Sequence, residues 1–157
     1  MLVDNELIEH MANPNNYGSL DDADAIGIGE NPQNGEKVII YLKVNSEDGI
    51  NKIDTIRFQA IACMTTVVAG SIITKEAQDL DFNKAEELVA VTLGMLEHYP
   101  PEQAACSEMV AVALKAAMEH YKIKSKQKDA PAIVLKIEQS CIPDAEPNPL
   151  EQNTQRS

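Results

Sequence analysis

The spacing of hydrophobic positions divides this chain into stretches of two periods. Leu2, Leu7, Ile8 and Met11, with Asp4, Glu6 and Glu9 between them, keep helical spacing and predict a short amphipathic helix over 2–12. Asn13-Pro14 ends it, because proline disfavours helical geometry in the residue before it. Residues 13–36 are dense in Asn, Gly, Pro and Asp and predict loop and turns, with one short extended piece at 25–28. The period then falls to two. Residues 38–44 (VIIYLKV) are β-branched and apolar, NSEDG follows as a turn, and Ile56, Phe58 and Ala60 alternate with Thr55, Arg57 and Gln59 up to residue 62. The two runs predict an antiparallel hairpin with one buried face.

Helical spacing returns afterwards. Residues 64–79 carry many β-branched side chains, but Ala69, Gly70, Ser71 and the closing KEAQ favour a buried helix. Asp81 is placed to cap the next helix, which contains KAEEL at 84–88. Pro100-Pro101 interrupts the chain. A long helix over 102–124 then carries Cys106, Met109, Val110, Ala113, Leu114, Ala117 and Tyr121 on one stripe, with Lys115, Lys122 and Lys124 toward its end. AIVLKI at 132–137 suits one more strand, and the proline-rich polar stretch from Pro143 reads as a disordered tail. There is no internal repeat. The domain is expected to span 1–128, with 129–157 as a C-terminal extension.

Composition restricts the core: 44% of residues are hydrophobic but only 4% aromatic, with no Trp, so Ala, Val, Ile, Leu and Met must fill it. No apolar run approaches the roughly 18 residues that would cross a bilayer, and the acidic start is unlike a secretory signal. A cytoplasmic protein without a membrane partner is expected. The net charge is −12, and residues 1–35 contain seven acids and no Lys or Arg. Such a surface repels phosphate backbones, which argues against nucleic acid. A solvated acidic face is its simplest reading.

Three cysteines, Cys63, Cys106 and Cys141, form no CxxC pair, which argues for a reducing compartment rather than a disulfide framework. Cys63 lies where a strand gives way to a helix, and the positive end of a helix lowers a thiol pKa. Cys106 alone reads as a small packed hydrophobe. Cys141 reads as incidental. The histidines His10, His98 and His120 lack zinc-hydrolase spacing, and His10 and His120 are expected on helix surfaces. Gly27-Ile28-Gly29 is a GxG fragment without the third glycine of a phosphate loop.

Taken in order, HMANPNNYG (10–18), DADAIG (22–27), PQNGE (32–36), IRFQAIAC (56–63), PPEQAACS (100–107) and ALKAA with Tyr121 resemble the NifU N-terminal domain and IscU family over about residues 3–124. The resemblance implies an iron–sulfur cluster assembly scaffold, which holds a labile [2Fe–2S] cluster on three cysteines with a nearby Asp and passes it to apo-proteins. It implies an α+β fold: a small antiparallel sheet of about three strands, helices on one face and the cysteine loops at one end. It also implies a cysteine desulfurase and apo-protein acceptors as partners, no catalytic residue in this chain, and leaves a homo-oligomer open.

The ligand set departs from the family pattern. Cys63 and Cys106 remain, whereas Asn34 stands for the first cysteine, Glu36 for the Asp and Ala105 for the histidine before the third cysteine. Asn is a weak ligand and Ala none, so the expected metal-binding residues are Cys63, Cys106 and Glu36, holding iron, a [2Fe–2S] cluster or zinc. An exogenous thiol or a second subunit could complete the set. Tyr99-Pro100-Pro101-Glu102-Gln103 replaces the family's Leu-Pro-Pro-Val-Lys chaperone motif, so recognition by that chaperone is not expected. Two other readings follow from the missing ligands. One is a regulatory module that docks on a desulfurase or on a complete scaffold. The other is a carrier of persulfide sulfur on Cys63 or Cys106.

Overall fold

Alternation in the hairpin strands sets the architecture. The computed structural model describes residues 12–33 and 35–137. The helix expected at 2–12, with His10, and the tail expected from Pro143 lie outside the described residues. β1 (Ala25–Glu30), β2 (Lys37–Glu47) and β3 (Ile50–Ile61) pair antiparallel in sequence order. Val38, Ile40 and Leu42 of β2 are fully buried, and the register sets Ile40 opposite Phe58 and Leu42 opposite Ile56, which are buried too. Asp48 and Gly49 both have positive φ, 54° and 78°, the two-residue turn whose twist suits a hairpin. The turn is therefore shorter than NSEDG suggests, and β2 runs on to Glu47.

Three helices cover the buried face: α1 (Met64–Ala77), α2 (Phe82–Leu96) and α3 (Pro101–Lys124). α1 stops two residues before the expected end because Asp79 turns to φ 70° and its amide donates to the Ile53 carbonyl, 3.1 Å away. The Asp81 carboxylate accepts from the Lys84 amide at 2.8 Å and starts α2 as expected. None of the helices is long and apolar enough to cross a membrane. α3 lies directly on β1. A Cβ on Gly27 would overlap the backbone of Ala113 and Ala117, and one on Gly29 would overlap the Met109 carbonyl. The glycines are needed for this approach of helix to strand. Met109, Val110, Ala113, Leu114, Ala117 and Met118 of α3 are buried, so small and aliphatic side chains fill the space that scarce aromatics leave.

The fold is α+β, and its sheet is mixed and four-stranded rather than three-stranded and antiparallel. β4 (Ile133–Lys136) joins parallel to β1, giving the order β3-β2-β1-β4. The direction follows from α3: Ala113 stands over Gly27 and Met109 over Gly29, so α3 runs antiparallel to β1. A strand returning from its far end must then run with β1. The outer edge of β3 is also covered, because the Gly18 amide donates to the Phe58 carbonyl and the Phe58 amide to the Asn16 carbonyl. Tyr17 meets the Phe58 ring edge-on at 5.2 Å.

His120 is a correction to the sequence reading: it is 4% exposed, not on the surface. β4 starts opposite Gly27, which leaves the Ile26 amide one residue short of the β1–β4 ladder. His120 Nδ1 accepts that N–H at 2.9 Å, which fixes the proton on Nε2, and Nε2–H donates to the Ala130 carbonyl at 2.8 Å.

Candidate functional site

Chain direction brings the two thiols together. β3 ends at Ile61, and Cys63 follows as the N-cap residue of α1 with extended φ and ψ. Cys106 lies in the second turn of α3, one turn before the Met109 carbonyl that rests on Gly29, so it stands over the Glu30 end of β1. The sulfur atoms are 3.9 Å apart. Cys63 is exposed and Cys106 is 2% exposed. A disulfide would need about 2.05 Å, so both are thiols. Two thiolates on one tetrahedral ion, with metal–sulfur bonds of about 2.3 Å, stand about 3.8 Å apart. The pair is already at chelating distance.

Electrostatics favour the Cys63 thiolate. Partial burial pushes its pKa up, but the Thr66 amide, the Thr66 hydroxyl, the Cys106 thiol and the Thr65 amide together outweigh burial and hold it below the ordinary thiol value. The hydroxyl lies 3.7 Å from Sγ. Cys63 makes no side-chain cap hydrogen bond of regular geometry. The influence of the first-turn amides on Sγ is that of nearby dipoles.

The other expected residues are less well placed. The Lys37–Ile61 pair closes the β2–β3 ladder, so Glu36, one residue before Lys37, lies at the same end of the sheet as Cys63. It is not gathered to the sulfurs, however: among the described residues no three His, Cys, Asp or Glu side chains form a group able to hold a metal ion. Ala105 is fully buried in the core and offers only a methyl group. Asn34 lies outside the described residues.

Two residues at this end carry weight that the sequence reading did not give them. Thr66, fully buried three residues after Cys63, supplies the hydroxyl just described. Asn31, also fully buried, organises the β1–β2 turn: its carbonyl accepts from the Gly35 amide at 2.9 Å, its amide donates to the Glu36 carbonyl at 2.8 Å, and its Oδ1 accepts from the Gln33 amide at 3.0 Å. That last bond fixes which end of the side chain is oxygen. Nδ2 is buried and has no hydrogen-bond partner among the described residues. The Asn-Pro pair at 31–32 signals the turn, but nothing local shows that the amide is buried.

Comparison with known proteins agrees with this arrangement. The profile of the NifU-like N terminal domain matches residues 3–128. The iron-sulfur cluster assembly scaffold protein IscU 1 of Archaeoglobus fulgidus is 32% identical over 124 residues, covering 76% of each chain. The Drosophila melanogaster protein named iron-sulfur cluster assembly enzyme IscU is 30% identical over 132 residues, 82% of this chain and 84% of that one. The fold is shared with the crystal structure of a nitrogen-fixing NifU-like protein (N-terminal) from Brucella abortus, with a TM-score of 0.62 at 16% identity over 77% of this chain and 94% of the other. With the motifs, the fold and the paired thiols in agreement, this chain belongs to the NifU-like N-terminal domain family.

Proposed function

We propose that this protein is a scaffold for iron–sulfur cluster assembly, with Cys63 and Cys106 as the thiolates that hold iron or a labile [2Fe–2S] cluster on its way to apo-proteins. The observation that carries the reading is the 3.9 Å separation of two sulfurs delivered by different elements, one exposed and one buried. The buried Cys106 anchors, and the exposed Cys63, biased toward thiolate, meets what arrives. A scaffold must release its cargo, and two thiolates with one weaker ligand hold iron less firmly than a closed four-thiolate site. Glu36 supplies that weaker ligand if the β1–β2 turn moves toward the sulfurs. Zinc is the competing occupant of the same donors.

The sulfur would come from a cysteine desulfurase. The Cys63 thiolate attacks the outer sulfur of the desulfurase persulfide, the persulfide S–S bond breaks, and the desulfurase leaves as a thiolate. No electrons are gained or lost in that exchange. The enzymatic step belongs to the partner, and no catalytic residue is assigned here.

Anaerobic reconstitution with iron and sulfide, followed by visible spectra and metal analysis, tests the reading. Wild type is expected to gain a cluster chromophore that Cys63→Ala and Cys106→Ala lose, while Cys63→Ala, at an exposed position, still unfolds within about 0.5 kcal/mol of wild type. A wild-type protein that takes up no iron would defeat the proposal. The absence of a three-ligand group among the described residues would then favour the regulatory module, to be sought as a complex with a desulfurase or a complete scaffold.

A further inference from the structure

The parallel course of β4 has a chemical consequence. β1 ends at Glu30, beneath the turn of α3 that carries Cys106, and β4 runs in the same direction alongside it, with Lys136 paired to Glu30. Ile137, 4% exposed, continues the ladder: its amide donates to the Glu30 carbonyl at 2.9 Å. The chain beyond Ile137 is therefore delivered to the end of the sheet that holds Cys63 and Cys106, one strand spacing, about 4.8 Å, from the end of β1. Cys141 is four residues further on. Four residues reach up to about 13 Å, enough to turn from the end of β4 over the neighbouring strand to the helix above it.

The described site is incomplete in two respects that a thiolate would remedy. It has two sulfurs and no third metal-binding group. It also has an orphaned donor at the same end of the sheet, Asn31 Nδ2, in a residue buried beside the Ile137–Glu30 junction. A buried N–H without an acceptor costs about 1–3 kcal/mol, and a thiolate accepts from such a group. Cys141 lies beyond residues 3–128, which match the family, so the family pattern does not reveal it.

We propose that Cys141 is the third thiolate of this site, supplied by the C-terminal extension in place of the cysteine that Asn34 replaces. The inference rests on the scaffold reading and adds to it: the ligand set is Cys63, Cys106 and Cys141, with Glu36 in reserve. An extension that swings in to bind and out to release would let one segment govern both loading and transfer.

The full chain titrated anaerobically with cobalt(II) alone tests this, because the near-ultraviolet sulfur-to-cobalt band grows with each thiolate bound. Cys141→Ser is expected to lower the band by about a third and to weaken cobalt binding at least tenfold, a loss of ~1.4 kcal/mol or more. A metal-independent measurement accompanies it. In the Cys106→Ala variant at low concentration, diamide takes up two electrons and two protons as two thiols join, and peptide mapping is expected to find an intrachain Cys63–Cys141 disulfide. The proposal needs both results. If Cys141→Ser binds cobalt like wild type while Cys63→Ser does not, the third thiolate is refuted and the scaffold reading survives. If no variant shows a thiolate band, both fail. If only interchain disulfides form, Cys141 does not reach the site and the proposal is overturned.

Discussion

The interface between β1 and α3 and the thiol end of the sheet are built on opposite principles. At the first, the backbones touch: two strand glycines leave no room for a Cβ beneath the helix, and His120 ties the Ile26 amide to the Ala130 carbonyl. Every backbone group named there has its partner. At the second, one cysteine is exposed, a buried amide lacks an acceptor, and two sulfurs stand close without a bond. A rigid seam holds an unfinished site. That division suits a protein whose cargo must arrive and leave, because the geometry of the thiols is set by packing that the cargo does not have to provide.

The contrast can be broken from either side. Gly27→Val should do the most damage, since its side chain meets helix backbone rather than a movable side chain. We expect a loss of about 3 kcal/mol or more in urea unfolding, at the upper end for overpacking. Equal stability to wild type would mean that α3 is free to lift from β1. His120→Leu should follow, at about 2–3 kcal/mol, because it leaves the Ile26 N–H and the Ala130 carbonyl without partners. A neutral result would show that water or a neighbouring group takes over both bonds.

The smallest effect on stability, and the most informative about the site, is expected from Thr66→Val. It keeps the side-chain volume and removes the hydroxyl that favours the Cys63 thiolate. The folded thiol pKa is depressed, so the stabilisation it brings is present above the unfolded pKa and disappears as the pH falls through the folded value. Losing the hydroxyl raises the pKa back toward the ordinary value and shrinks that window. The pH midpoint for alkylation of Cys63 should move upward in the variant, and alkylation near neutral pH should slow several-fold. An unchanged midpoint would assign the depression to the first-turn amides alone.

Local pattern disclosed more of the seam than of the site. The alternation of Ile56 and Phe58 with their polar neighbours, the Asp81 cap and the apolar stripe of α3 all follow rules that act within a few residues, and the structure reproduces them. What escaped depends on distant pairing. The direction of β4 follows from the course of α3 across β1. His120 looked like a surface residue because a polar side chain on a helix usually is one, and only the truncated ladder at Ile26 explains its burial. At the site, 42 intervening residues separate the paired thiols, and no local rule could set their distance. The resemblance named both cysteines, but it also directed attention to Asn34 and Glu36 and away from Cys141, which lies past the region the family shares.

The same parallel strand also orders the birth of the protein. Gly27 pairs with Ile133, a contact that spans most of the chain, and on a ribosome the two are made several seconds apart at about 5–20 residues per second. Until β4 emerges, the β1 edge keeps its donors and acceptors open to any extended segment that meets it. The nascent sheet can form its hairpin early, but it closes this edge only as the last strand is released.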